Sequence, residues 1–285
     1  MRPLLPAEVP LAFPPAPLRQ RSHGSVRLRL ARAGAATIVA ELSEAGPSRL
    51  RFPRMHGADP EAVLVNTAGS IACGDRFDVA VEAGQGASLV FITTAAEKIY
   101  RSDGPASAIG NRVALEAGAC VAWLPQETIL YDRARLERRF EADIAPDAAL
   151  LVCEIVLFGR AARGETLREG LLHDRWSVRR AGRLVYADAL RLDGPIAGLF
   201  ARAAIGGGAR AFASILDFAP GAEGRLDEAR ALLEPAGDGV EAGASAWNGH
   251  LAIRLLGRDA DGLRRLAARF LAAYRRAPLP RVWQC

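Results

Sequence analysis

The sequence predicts a single, mainly β domain with two helices near its C-terminal end, and three observations carry that prediction. Short runs that alternate apolar and polar residues recur along the chain, as half-buried strands do. Gly, Asp, Asn and Pro fall between them, where turns need their backbone freedom or fixed φ. No 12-residue helical pattern alternates with the runs, as a βαβ chain would require. With 50% hydrophobic and 24% charged residues in 285, the chain has the apolar content to bury a core. By pattern alone it could close as a sandwich, a barrel or a stacked β-helix.

Taken in order, residues 1–22 read as a proline-rich, disordered tail, with six prolines before residue 18 and no apolar stretch of signal-peptide kind. Residues 23–285 form the domain. SVRLRLAR at 25–32 opens it, followed by ATIVAELS, AVLVN, FDVAVEA, ASLVFITT, RVALEAG, CVAWLP, TILYD, LERRFEADI, ALLVCEIVLF, RWSVRRAG, RLVYADALRL, RAFASILDF and HLAIRLL. Two stretches change to the helical period. One is 226–233, with Asp227 and Glu228 in its first turn, where the helix dipole favours anions. In the other, Leu263, Leu266, Ala267, Phe270, Leu271 and Tyr274 make one apolar stripe, with Asp259 or Asp261 as N-cap and Pro278 ending it.

Composition excludes several function classes. No apolar run approaches the ~18 residues of a membrane span, so no membrane association is expected. Cys73, Cys120, Cys153 and Cys285 lie 47, 33 and 132 residues apart, without a zinc spacing, and read as reduced thiols of a cytoplasmic protein. His23, His56, His173 and His250 form no HxxxH or Cys/His cluster, so no fixed metal site is expected. Residues 205–209, IGGGA, lack the Lys-Ser/Thr of a phosphate loop. The net charge of +5 is local: residues 251–285 hold 8 basic against 2 acidic residues, and the rest 29 against 30. That is a property of the last helix rather than a nucleic-acid-binding face. Of the 37 basic residues only Lys98 is lysine, which marks it for attention.

Four segments are too particular for generic strand and turn: NTAGSIACGD at 66–75, TTAAEKIYRS at 93–102, WLPQETILYD at 123–132 and EIVLFGRAARGE at 154–165. In this order and at this separation, with LPRVW at 279–283, they closely resemble the UreD (UreH) family of urease accessory proteins from about residue 23 to the end. The resemblance implies a β-helix-like stack of short strands with two helices. It also implies a non-enzymatic maturation factor that binds UreF, through it the GTPase UreG, and docks on apo-urease for nickel insertion. Nickel would be transient cargo, with no tightly bound cofactor.

Within that frame the candidate nickel-passage residues are Cys73, Asp75, Glu97, Glu127, Glu154 and Glu165. NTAGSIACGD has Ser70 and Cys73 where the family pattern has glycines. It reads either as a tight turn with Cys73 a small buried hydrophobe, or as sulfur and oxygen ligands beside a passage. Alternation puts Glu97, Ile99 and Arg101 on one face and Lys98, Tyr100 and Ser102 on the other, either a salt-bridged surface or the flank of an interior passage. Trp123 and Tyr131 read as core or interface aromatics. Glu154 sits among apolar neighbours and requires a partner, for which Arg160 is nearest in sequence, with Glu165 closing the network. Partner binding is expected of the last helix, through Leu263, Phe270, Tyr274, Arg264, Arg265 and Arg269, and of Trp283. The alternative function is an acid–base hydrolase using Glu97, Glu127 or Glu154 with Asp75. Nucleic-acid binding through residues 254–281 is the weakest reading, for want of interleaved aromatics.

Overall fold

The structure, a computed structural model, describes residues 20–53 and 60–284. Most of the expected tail therefore lies outside the described residues, as does Cys285. The strands are β1 His23–Ala33, β2 Ala36–Ala45, β3 Ser48–Arg51, β4 Glu61–Asn66, β5 Arg76–Ala83, β6 Ser88–Thr93, β7 Glu97–Ile99, β8 Ser107–Leu115 and β9 Cys120–Trp123. There follow β10 Thr128–Leu130, β11 Arg135–Ile144, β12 Ala149–Phe158, β13 Gly170–Arg180, β14 Arg183–Gly194, β15 Ala211–Asp217, β16 Val240–Trp247 and β17 His250–Gly257. The helices are α1 Ile196–Phe200, α2 Leu226–Leu233 and α3 Ala260–Arg275.

The chain winds alternately between two sheets. In the first, β1, β5, β8, β11 and β13 lie parallel, with β2 and β14 antiparallel at the edges. In the second, β4, β6, β9 and β12 are parallel, and β15, β17 and β16 continue the sheet antiparallel. Each circuit adds one rung to each sheet, a solenoid-like stack of about 4 turns. A narrow third column closes the side: Ile71 bridges Ile99 of β7, β7 pairs with β10, and β10 with the end of β12.

Alternation decides which side chains face inward. Leu28, Val81, Val113, Ala142 and Val178 stand in register across the first sheet, all buried. Leu89, Val121 and Leu150 do the same in the second. Between the sheets Phe91 stacks on Trp123 at 3.9 Å, Trp123 meets Phe140 edge-on at 5.6 Å, and Phe140 meets Trp176 at 4.9 Å. Strand β12 is apolar on both faces because α3 covers its outer side, which is why ALLVCEIVLF runs without alternation.

Helix α3 begins where expected: the Asp259 carboxylate accepts from the N–H groups of Asp261 and Gly262, and Arg276 ends the helix in the left-handed region at φ 53°. Every member of its apolar stripe is buried, against Cys153, Ile155, Ile215, Ile253 and Leu255 of the second sheet among others. Strands β3 and β16 and helix α1 were not anticipated. Four residues in β3 and five in α1 are too few to display a period, and the Ala and Gly of VEAGASAW carry little β preference.

Candidate functional site

Three inward positions on three neighbouring strands carry charge. On β11, Arg138 occupies the face of Leu136 and Phe140; on β13, Asp174 that of Leu172 and Trp176; on β12, Glu154 that of Val152 and Val156. All three are buried. The Arg138 guanidinium donates to both Asp174 oxygens at 3.0 and 2.6 Å, and to Glu154 Oε2 at 2.5 Å. The second Glu154 oxygen accepts from Trp123 Nε1 at 3.2 Å. Burial pushes the Glu154 carboxyl above the usual range, and Arg138 pulls it back only in part. Burial alone would lower the Arg138 pKa, but the attraction of Asp174 and Glu154 outweighs it and raises it, so the guanidinium stays charged.

Beside this triad lies an interior cavity of about 60 Å³, lined by Glu97, Asn66, Thr93, Gln126, Arg138 and Glu154 together with aromatic and aliphatic side chains. That is space for a few waters or one ion. Strand β7 delivers Glu97 to it, held by Asn66 Nδ2 at 3.2 Å. Burial raises the Glu97 pKa, opposed by Asn66 and then by Lys98. Thr93 Oγ1 accepts from the Gln126 N–H at 2.9 Å and fixes the chain turn before Glu127.

Of the expected passage residues, the fold brings Glu97 and Glu154 to this cavity and sends the others elsewhere. Asp75 is a buried turn brace whose two oxygens accept from the Ser22 and Ala72 N–H groups at 2.8 Å each. The Cys73 thiol is also buried, accepting from Ser102 Oγ at 2.9 Å and lying 3.1 Å from Asp103. Left-handed φ in that segment falls on Gly69 and Gly74, not on Ser70 or Cys73, so the two replacements leave the turn intact. Glu127 turns away from the cavity into an ion pair with Arg264 of α3. Among the described residues no three His, Cys, Asp or Glu side chains converge as a metal-holding group.

Two expectations are corrected. Glu154 pairs with Arg138, not Arg160; Arg160 instead forms a separate, partly exposed pair with Glu165 at 2.6 and 3.0 Å. The reason is that Gly159 turns the chain out of the stack at φ 92°, carrying Arg160 away from the interior that β12 faces. Leu263, Phe270, Tyr274 and Trp283 are buried in the protein's own core, so they are not a surface for a partner. Of the arginines of α3, Arg264 is partly buried, while Arg265 and Arg269 are exposed. Arg264 holds Glu127 and Gln126, Arg265 reaches Asp259 at 3.4 Å, and Arg269 donates to the Pro235 carbonyl at 2.8 Å. Trp283 Nε1 donates to the Leu124 carbonyl at 3.0 Å and ties the C-terminal segment to the stack.

Arg138 and Asp174 were missed by sequence reasoning, although a signal was present. Each interrupts the apolar face of an alternating strand, and a charge at such a position requires a partner on a facing or neighbouring strand.

Comparison with known proteins agrees with the motif resemblance. The model of the family described as UreD urease accessory protein matches residues 22–284. Urease accessory protein UreD 2 of Methylorubrum populi is 62% identical over 276 residues, covering 95% of this chain and 93% of its own. Urease accessory protein UreD 1 of Methylobacterium radiotolerans is 61% identical over 285 residues, covering 99% of each. Urease accessory protein UreD of Azorhizobium caulinodans is 55% identical over 268 residues, covering 94% of this chain and 98% of its own. With its motifs, its stacked strands and its C-terminal helices all in agreement over almost the whole length, this chain belongs to the UreD family of urease accessory proteins.

Proposed function

We propose that the protein serves urease maturation as a scaffold and nickel conduit. It docks UreF, and through it the GTPase UreG, on apo-urease, with nickel as transient cargo and no resident cofactor. The observation that carries this reading is the small cavity between the two sheets, where Glu97 and Glu154 face an otherwise apolar interior. Two carboxylates without a converging donor set suit an ion that passes rather than one that stays, since divalent nickel is held tightly by clustered imidazole and thiolate. Glu97 is the passage residue of choice, because its side chain is held only by Asn66 and makes no ion pair among the described residues.

The hydrolase alternative has little support. Glu127 and Asp75 are engaged in structural contacts, Glu154 is neutralised by Arg138, and about 60 Å³ leaves no room for an organic substrate. The test is co-expression of the full chain with tagged UreF and UreG, followed by activation of apo-urease with nickel. A complex that survives purification, and activation that falls when Glu97 is changed to Gln while the complex persists, is the expected result. Activation independent of Glu97 would remove the conduit from the reading, and absence of any complex would remove the scaffold.

A further inference from the structure

The third column of the stack forms the floor of an open surface cleft of about 960 Å³. Lys98, Ile129 and Leu157 stand in register across its three rungs, and Tyr100 and Tyr131 follow in the next row with ring centroids 5.0 Å apart. Ile129 and Leu157 are half-buried, so the floor is apolar. Its rim is cationic: Lys98, Arg101 and Arg163 are exposed, and none makes an ion pair among the described residues. The carboxylates that line the cleft make no ion pair with them among the described residues. Glu165 is taken by Arg160 and Asp132 by Arg168 at 2.6 Å, leaving only Asp261 at the start of α3.

We infer that this cleft is a docking groove for an acidic polypeptide segment that also carries apolar side chains, supplied by a protein partner. The chemistry selects that occupant. Carboxylates match the unpaired cations of the rim, apolar side chains match Ile129 and Leu157, and Tyr and Arg are the residue types that anchor protein interfaces. A nucleic acid fits less well, because Arg160 lies 4.2 Å over the Tyr131 ring and occupies the face on which a base would stack. The inference rests on the docking role proposed above and assigns a surface to it, on the opposite side of β7 from Glu97.

The test uses the full chain and a fluorescein-labelled random copolymer of glutamate and tyrosine, titrated by anisotropy at physiological ionic strength. The triple variant K98E/R101E/R163E should bind about tenfold more weakly or worse, because it reverses three rim charges. R27E/R29E/R175E, which reverses three exposed arginines on the outer face of the first sheet, should stay within about twofold of the unchanged chain. Equal weakening in both triples, or no binding by the unchanged chain, overturns the groove. Tighter binding of a labelled oligothymidylate with the same dependence on the rim overturns the polypeptide assignment. The same variants in the UreF and UreG co-purification separate the two readings. Assembly undisturbed by K98E/R101E/R163E sinks the groove alone, whereas failure of the unchanged chain to assemble sinks the docking role and leaves the copolymer titration to decide the groove.

Discussion

Replacing Arg138 by Met keeps most of the side-chain volume and removes the only cation in contact with Glu154 and Asp174 among the described residues. The guanidinium is buried and makes three charge-assisted bonds to these carboxylates, so the change strands two buried anions with no cation in contact among the described residues. Breaking a buried pair by removing one partner costs about 3 to 5 kcal/mol, a large part of a domain's ordinary margin of about 5 to 15 kcal/mol. The pH dependence is the sharper signature. Glu154 already sits above the usual carboxylate range because burial outweighs the pull of Arg138, and without Arg138 it rises further. A carboxyl whose folded pKa exceeds its unfolded value contributes stability that is present at low pH and lost as pH rises through the folded pKa. Urea unfolding of R138M followed by circular dichroism should therefore show a deficit that is largest at alkaline pH and shrinks as the pH falls and Glu154 takes up a proton. Glu154→Gln, which leaves Arg138 paired with Asp174, should cost less, about 1 to 3 kcal/mol, and the double variant less than the sum of the two. Stability within about 1 kcal/mol of the parent at alkaline pH, or a deficit that grows towards acid, would refute the assignment of the triad as a buried, charged network.

Glu97→Gln should leave the soluble yield and unfolding midpoint near the parent's while urease activation falls, since Glu97 makes one side-chain bond to Asn66 and no buried ion pair; parallel loss of soluble protein would mean that Glu97 holds the fold together. His250 is buried against Tyr186, Phe218 and Trp247, and burial lowers its pKa, so its contribution is present above the unfolded value and lost as pH falls below about 6.5. His250→Phe should flatten the unfolding free energy across that window, and an unchanged slope would exclude His250 as its source. A chain ending at residue 258 should be insoluble or lack a cooperative transition. Five large buried side chains of α3 at about 1.5 to 3 kcal/mol each match or exceed the whole stability margin. A native β spectrum for that chain would show that α3 adds little to the stack.

How much of this was legible in the sequence depends on the range of the interaction. Alternation is a local property, so SVRLRLAR and LERRFEADI declare their inward residues without reference to the rest of the chain, and Val26, Leu28, Leu136 and Phe140 are buried as that reading requires. The stripe of α3 is local in the same sense, and it names the helix and its buried face correctly. What covers that stripe is not local. The stripe packs on the second sheet, and Arg264 beside it finds its acceptor in Glu127, 137 residues earlier in the chain.

The same division separates the candidate site residues. Sequence by itself determined that Glu154 is a buried carboxylate requiring a partner, because six apolar neighbours surround it. Only the tertiary structure decided that the partner is Arg138, sixteen residues earlier on the other sheet, and not Arg160, six residues later on the far side of a glycine turn. It likewise decided that Glu97 and Glu154 share a cavity while Asp75 and Glu127 do not. Alternation tells each strand which of its side chains face inward, but the stacking of rungs brought together by the winding of the chain selects which inward charges meet, and a buried charge is neutralised by what is near in space rather than near in sequence.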